Sequence, residues 1–165
     1  MRKAVALVAG LLVLAFVNYG IYGRERLVRE GRVVVLRLAP VDPRSLMQGD
    51  YMRLRFEAAD QAQLASGADS RADGRIVLAL DANNVGTYRR IDDGRPLGPG
   101  EAVIRYRIRN GWSRLATDSF FFEEGQAETY AHAQYGAFRV APDGEAILTG
   151  LRGPHLEPLG PQAVR

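Results

Sequence analysis

Glu101-Ala102-Val103-Ile104-Arg105-Tyr106-Arg107-Ile108-Arg109-Asn110-Gly111-Trp112 changes polarity at every residue through its second half and then stops at Asn-Gly. Successive side chains of a strand point to opposite faces, so Ala102, Ile104, Tyr106 and Ile108 line one side and Val103, Arg105, Arg107 and Arg109 the other. Asn-Gly accepts the positive φ angles of a two-residue hairpin turn, which makes Trp112 to Ala116 the return strand. The same period of two recurs on both sides. Val33 to Leu38 and Met52 to Phe56 precede it, as does a hairpin of Arg75–Asp81 and Val85–Ile91 around Ala82-Asn83-Asn84. Ser119–Glu123 follows, then a hairpin of Gly136–Ala141 and Glu145–Leu151 around Pro142-Asp143-Gly144. Glu57 to Ser66, stopped by Gly67, and Gly125 to Gln134 read as short helices. About eight short strands with turn residues between them make the chain mainly β. The expected fold is a compact antiparallel β-sandwich or small barrel with one or two short helices, behind one N-terminal transmembrane helix.

That helix is read from Ala4 to Tyr22, 19 residues without a charge. At about 1.5 Å per residue it reaches roughly 28 Å, the hydrocarbon thickness of a bilayer. Tyr19 and Tyr22 suit the interface, and Arg24, Glu25 and Arg26 end the span. A cleaved signal peptide would need a small-x-small site, and none stands around Asn18 to Gly23. The expected organisation is an anchor over 1–23, a juxtamembrane linker over 24–30, a β-domain over 31–152 and an irregular Pro-rich tail over 153–165. Counting arginines leaves orientation open, since Arg24, Arg26, Arg29 and Arg32 oppose Arg2 and Lys3. Ala6 and Gly10 form a small-x-x-x-small pair suited to packing against another helix.

Composition removes several function classes. With 165 residues and 47% hydrophobic content the chain has material for one packed core. It has no cysteine, so thiol catalysis and thiolate metal sites are excluded. The formal charge of +3 rests largely on Arg2 and Lys3, and a nearly neutral body gives no footing for nucleic acid. Lys3 is the only lysine and precedes the span, so the β-domain cannot build a serine/lysine dyad. His132 and His155 lie in no nucleophile motif.

Three constellations remain. Gly49-Asp50-Tyr51-Met52-Arg53-Leu54-Arg55-Phe56 joins a Gly-Asp turn to an alternating strand. Gly49, Asp50, Tyr51, Leu54 and Phe56 are its candidate binding residues. An Asx-type turn accounts for Asp50 without a ligand, and packing accounts for the aromatics. Glu124, Glu128 and His132, spaced four apart, would share one face of a helix and offer two carboxylates and an imidazole to a divalent metal. Such a metal would support a hydrolase together with Asp50. Arg105 and Arg107, with Arg53, Arg55 and Arg109, stand off apolar strand faces; they either pair with carboxylates or meet phospholipid, lipopolysaccharide or glycan groups.

The octamer, with Asp42-Pro43-Arg44-Ser45-Leu46 before it, Phe121-Phe122-Glu123-Glu124-Gly125 and Tyr135-Gly136-Ala137-Phe138-Arg139-Val140 after it, and Asp143-Gly144 and Leu148 near the end, resembles the GDYXXLXY family of bacterial membrane-anchored proteins. The resemblance covers roughly residues 30 to 151; Phe56 stands where the signature has tyrosine. It implies a single-pass inner-membrane protein with a cytoplasmic N-terminus and a periplasmic domain. It also implies a multi-spanning membrane protein as frequent genomic neighbour, and hence a polytopic partner. It supplies no catalytic residues and no cofactor. The expected function is therefore an accessory or interaction module, with a lipid- or glycan-binding module or a metal-dependent envelope hydrolase as alternatives.

Overall fold

A computed structural model describes residues 2–40, 51–67, 73–109 and 111–160. The Asp42–Leu46 block, Gly49, Asp50 and Asn110 lie outside them. The chain opens with helix α1 (Arg2–Glu30). Then come β1 (Arg32–Arg37), β2 (Tyr51–Arg53), α2 (Glu57–Ser66), β3 (Gly74–Leu80), β4 (Val85–Ile91), β5 (Glu101–Arg109) and β6 (Trp112–Leu115). The chain closes with β7 (Ser119–Phe121), α3 (Ala127–Tyr130), β8 (Tyr135–Val140), β9 (Ala146–Arg152) and β10 (Pro158–Leu159). The protein is mainly β, as its periodicity indicates.

One eight-stranded sheet has the order β10-β9-β8-β1-β4-β3-β5-β6, and β2 pairs with β7 in a small ribbon. Among the described residues all pairings are antiparallel except β1 with β4, which is parallel, so the sheet is mixed rather than antiparallel as expected. The exception has a physical cause. The long excursion through β2, α2 and β3 returns the chain to the same side, as parallel pairing requires. β1 is thereby a central strand with Val34, Val35 and Leu36 all buried, which is why its sequence is apolar on both faces. The sheet curls: the turn between β8 and β9 reaches β5, where the Arg105 N–H donates to the Gly144 carbonyl (2.8 Å). Val34, Leu36, Ile76, Leu78, Ile104, Tyr106, Phe138 and Leu151 fill the interior, and α2 adds Ala58, Ala59 and Ala62.

Three expected segments differ. Residues 24–30, read as a linker, continue α1 without a break. No glycine or proline interrupts them, and the pairs Glu25–Arg29 (2.6 Å) and Arg26–Glu30 (2.8 Å) bridge successive turns. The helix expected over 125–134 shrinks to the single turn of α3. Within the tail, β10 hairpins onto β9 through Gly153–Glu157.

Candidate functional site

The motif strand β2 lies in register with β7: Tyr51 opposite Phe121, Met52 opposite Phe120 and Arg53 opposite Ser119. Beyond it the Leu54 N–H donates to the Asp118 carbonyl, and the Ala39 N–H to that of Arg55 (2.8 Å each). This ties the motif to the end of β1. Alternation then sorts the side chains. Met52, Leu54 and Phe56 point inward and are buried; Arg53 and Arg55 point out. Leu54 and Phe56, both candidate binding residues, are therefore core residues and offer nothing to a ligand. The Phe56 ring packs edge-on to Phe138 at 5.2 Å, and a Cβ at Gly136 would stand 2.8 Å from its Cε1. A fully packed ring at this position needs no hydroxyl, which accommodates phenylalanine in place of the signature tyrosine.

Of the described signature residues Tyr51, Leu54 and Phe56, it is Tyr51 that reaches the surface. Its half-buried ring lies 5.7 Å from that of Phe121, which is 74% exposed. Arg55 lies over the exposed Trp112 ring at 4.5 Å and pairs with Asp60 at 3.0 Å. Behind the ribbon, Tyr130 is buried between Phe120 (5.0 Å, edge-on) and Phe122 (5.2 Å, stacked). Burial pushes its phenol up, and the nearby Glu123 adds to the shift.

Beside the motif opens a cleft of about 770 Å³, whose wall includes Arg37, Met52, Arg53, Arg55, Glu57 and His132. That volume falls in the range of small-ligand and peptide sites. His132 reaches it, but Glu124 and Glu128 do not. With α3 reduced to one turn, Glu124 precedes the helix and His132 follows it, so the three share no helical face. Among the described residues no three His, Asp or Glu side chains are placed to hold an ion. The metal constellation read from the spacing is not assembled.

A second concavity, of about 340 Å³, is lined by Arg24, Arg105, Arg107, Arg109, Arg114, Asp118 and Glu145, among others. Several of its arginines have carboxylate partners: Arg109 with Asp73 (3.0 Å), Arg105 with Asp143 (3.9 Å), Arg24 with Glu145 (3.8 Å), and Arg114 with Asp118. The hydrogen bond from Arg109 and the Ile108 N–H hold the Asp73 carboxyl below the usual carboxylate range. Among the described residues Arg107 has no ion pair within 4 Å, and it sits directly opposite Arg114 across the β5–β6 ladder. Sequence reading singled out Arg105 and Arg107; it missed Arg24 and Arg114, because neither lies in the alternating part of β5.

Across residues 13–151 the chain matches the family model described as GDYXXLXY protein. The chain belongs to the GDYXXLXY family. The matched stretch includes the second half of the apolar helix and ends within β9. No curated protein and no solved structure matches the chain. In this GDYXXLXY member, the described part of the signature is thus the short strand β2 and the residues after it, whose alternate side chains build the core, with Tyr51 at the surface end.

Proposed function

We propose that this chain is a single-pass inner-membrane protein whose periplasmic β-domain serves as an accessory module for a polytopic membrane protein. The observation that carries the reading is α1. Over Leu7–Glu30 the helix is long and apolar enough to span a bilayer, and none of its apolar window is buried against the domain. An apolar helix left uncovered by its own chain needs lipid or another helix around it. No other element lies within 4 Å of a Cβ placed at Gly10, so a neighbouring helix could approach closely there. The exposed Tyr51–Phe121 ribbon and the adjoining cleft give the domain an aromatic surface of the kind that interfaces use.

Two experiments test this. A phosphatase reporter fused after Gln162 is expected to be active and a β-galactosidase reporter inactive; the reverse would overturn the periplasmic assignment. A photo-crosslinking residue at Phe121 should trap one membrane protein in intact cells, and the same residue at the exposed Leu64 on α2 should not. Equal, diffuse crosslinking from both positions would overturn the partner reading.

A further inference from the structure

The arginine groove lies at the level where α1 leaves its apolar segment. Arg24 stands two residues beyond Tyr22 and lines the groove with Arg105, Arg107, Arg109 and Arg114. Eight residues further along the chain, at the start of β1, Arg32 donates from Nη1 to the Glu101 carbonyl (2.6 Å). The helix from Arg24 to Glu30 covers about 9 Å, with Gly31 and Arg32 beyond it, and the strand path from Glu101 to Arg105 covers about 13 Å. β5 therefore runs back alongside α1, towards the apolar segment, and brings its arginines up to Arg24. The headgroup layer of a bilayer is about 5–7 Å deep on each side, and it begins where the apolar residues end.

The charges in the groove are not balanced. Its lining carries five arginines against Asp118 and Glu145. With Asp73 and Asp143 added, which pair from outside the lining, one positive charge is still uncompensated among the described residues. Among the described residues Arg107 has no carboxylate within 4 Å, although its charge helps to lower the Asp73 carboxyl, and it faces Arg114 across the ladder, a like-charge juxtaposition that costs stability unless an anion lies between. The two longest pairs, Arg24–Glu145 (3.8 Å) and Arg105–Asp143 (3.9 Å), are solvated contacts between exposed side chains and can yield to a stronger acceptor. A phosphate presents oxygens that several guanidiniums can share in forked hydrogen bonds.

We propose that this groove binds the phosphate headgroup of an anionic phospholipid in the same bilayer that α1 crosses. Arg107, Arg105 and Arg24 are the principal contacts. The proposal rests on reading α1 as an anchor. Membrane fractionation tests that reading separately, whereas headgroup binding can be measured in detergent whichever side the domain faces.

The experiment is native mass spectrometry of the full chain in detergent, with phosphatidylglycerol and phosphatidylcholine at equal concentration. The wild type is expected to retain phosphatidylglycerol at least about tenfold more than phosphatidylcholine, and each neutralised arginine to weaken retention about five-fold. The variants are R107Q, R105Q/R107Q and R24Q; the last lies on α1, where the sheet cannot be disturbed. Equal retention of both lipids by the wild type would overturn the proposal, as would unchanged retention by R24Q and R107Q. Displacement of the lipid by millimolar inorganic phosphate would also overturn it, by making the groove a free-anion site.

Discussion

At the scale of single residues the motif region is held by close contacts. Gly136 lets β8 pass under the Phe56 ring; a Cβ there would meet Phe56 Cε1 at 2.8 Å and Leu148 Cδ1 at 3.1 Å. The substitution G136A is expected to destabilise the domain by about 1–3 kcal/mol through overpacking, measured by chemical unfolding. Shrinking the ring in G136A/F56L should recover part of that loss, a coupling that only residues in contact display. A G136A chain as stable as wild type would mean that the ring moves aside freely. Asp73 gives a second residue-scale prediction. Its carboxyl is held low mainly by the hydrogen bond from Arg109, assisted by the Ile108 N–H (3.0 Å). A depressed folded pKa stabilises above the ordinary carboxylate range, and the contribution is lost as pH falls through the folded value. NMR titration should find Asp73 protonating below an ordinary aspartate, and R109Q should bring it back up. An ordinary value in the wild type would contradict the geometry.

At the scale of elements, α2 is fastened to the β5–β6 hairpin by Gln63, with Ser66 Oγ also meeting the Tyr106 hydroxyl (3.1 Å). Gln63 Nε2 donates to the Gly111 carbonyl (2.6 Å), and its Oε1 accepts from the Ser113 N–H (3.1 Å). Q63A removes both bonds and is expected to cost about 1–2 kcal/mol. Hydrogen exchange at the Ser113 amide should accelerate more than exchange in the central strand β1; a uniform change would show that Gln63 acts only on global stability. Most elements were legible in the sequence because their signals are local. The alternation of 101–109 places Ala102, Ile104, Tyr106 and Ile108 in the core and leaves Arg105, Arg107 and Arg109 exposed. The Ala-rich helix 57–66 ends at Gly67 (φ 82°), as a glycine stop should. What sequence could not supply was non-local. Whether β1 pairs in parallel with β4 depends on the path between them, and Val33–Leu36 carries only the hint that both faces are covered. The i, i+4 spacing of Glu124, Glu128 and His132 was read as a helical face, but Gln134 accepts from the Leu38 N–H (2.8 Å) and donates to the Arg152 carbonyl (2.9 Å). Those bonds draw the segment into the sheet, so the helix ends after one turn.

At the scale of the whole molecule, the decisive feature is that α1 passes from its apolar segment into the domain with no flexible joint. The helix is continuous to Glu30, and β1 begins at Arg32. The Gly31 carbonyl accepts from Arg139 Nη1 (3.0 Å), which fixes the helix end to β8, while the exposed Arg24–Glu145 contact (3.8 Å) adds only a solvated pair. A rigid helix seated in a bilayer therefore sets both the height and the tilt of the sheet. Because the chain contains no cysteine, A116C introduces a single labelling site, exposed at the wall of the arginine groove. In nanodiscs a fluorophore there is expected to be strongly quenched by a quencher carried on lipid headgroups. Inserting Gly-Ser-Gly-Ser between Gly23 and Arg24 leaves the domain and its groove chemically intact but uncouples them from the span, and should at least halve the quenching. Weak quenching in the uninterrupted chain would place the groove away from the membrane surface. Quenching unaffected by the insertion would mean that the domain is held at the bilayer by its own contacts rather than by the continuity of α1.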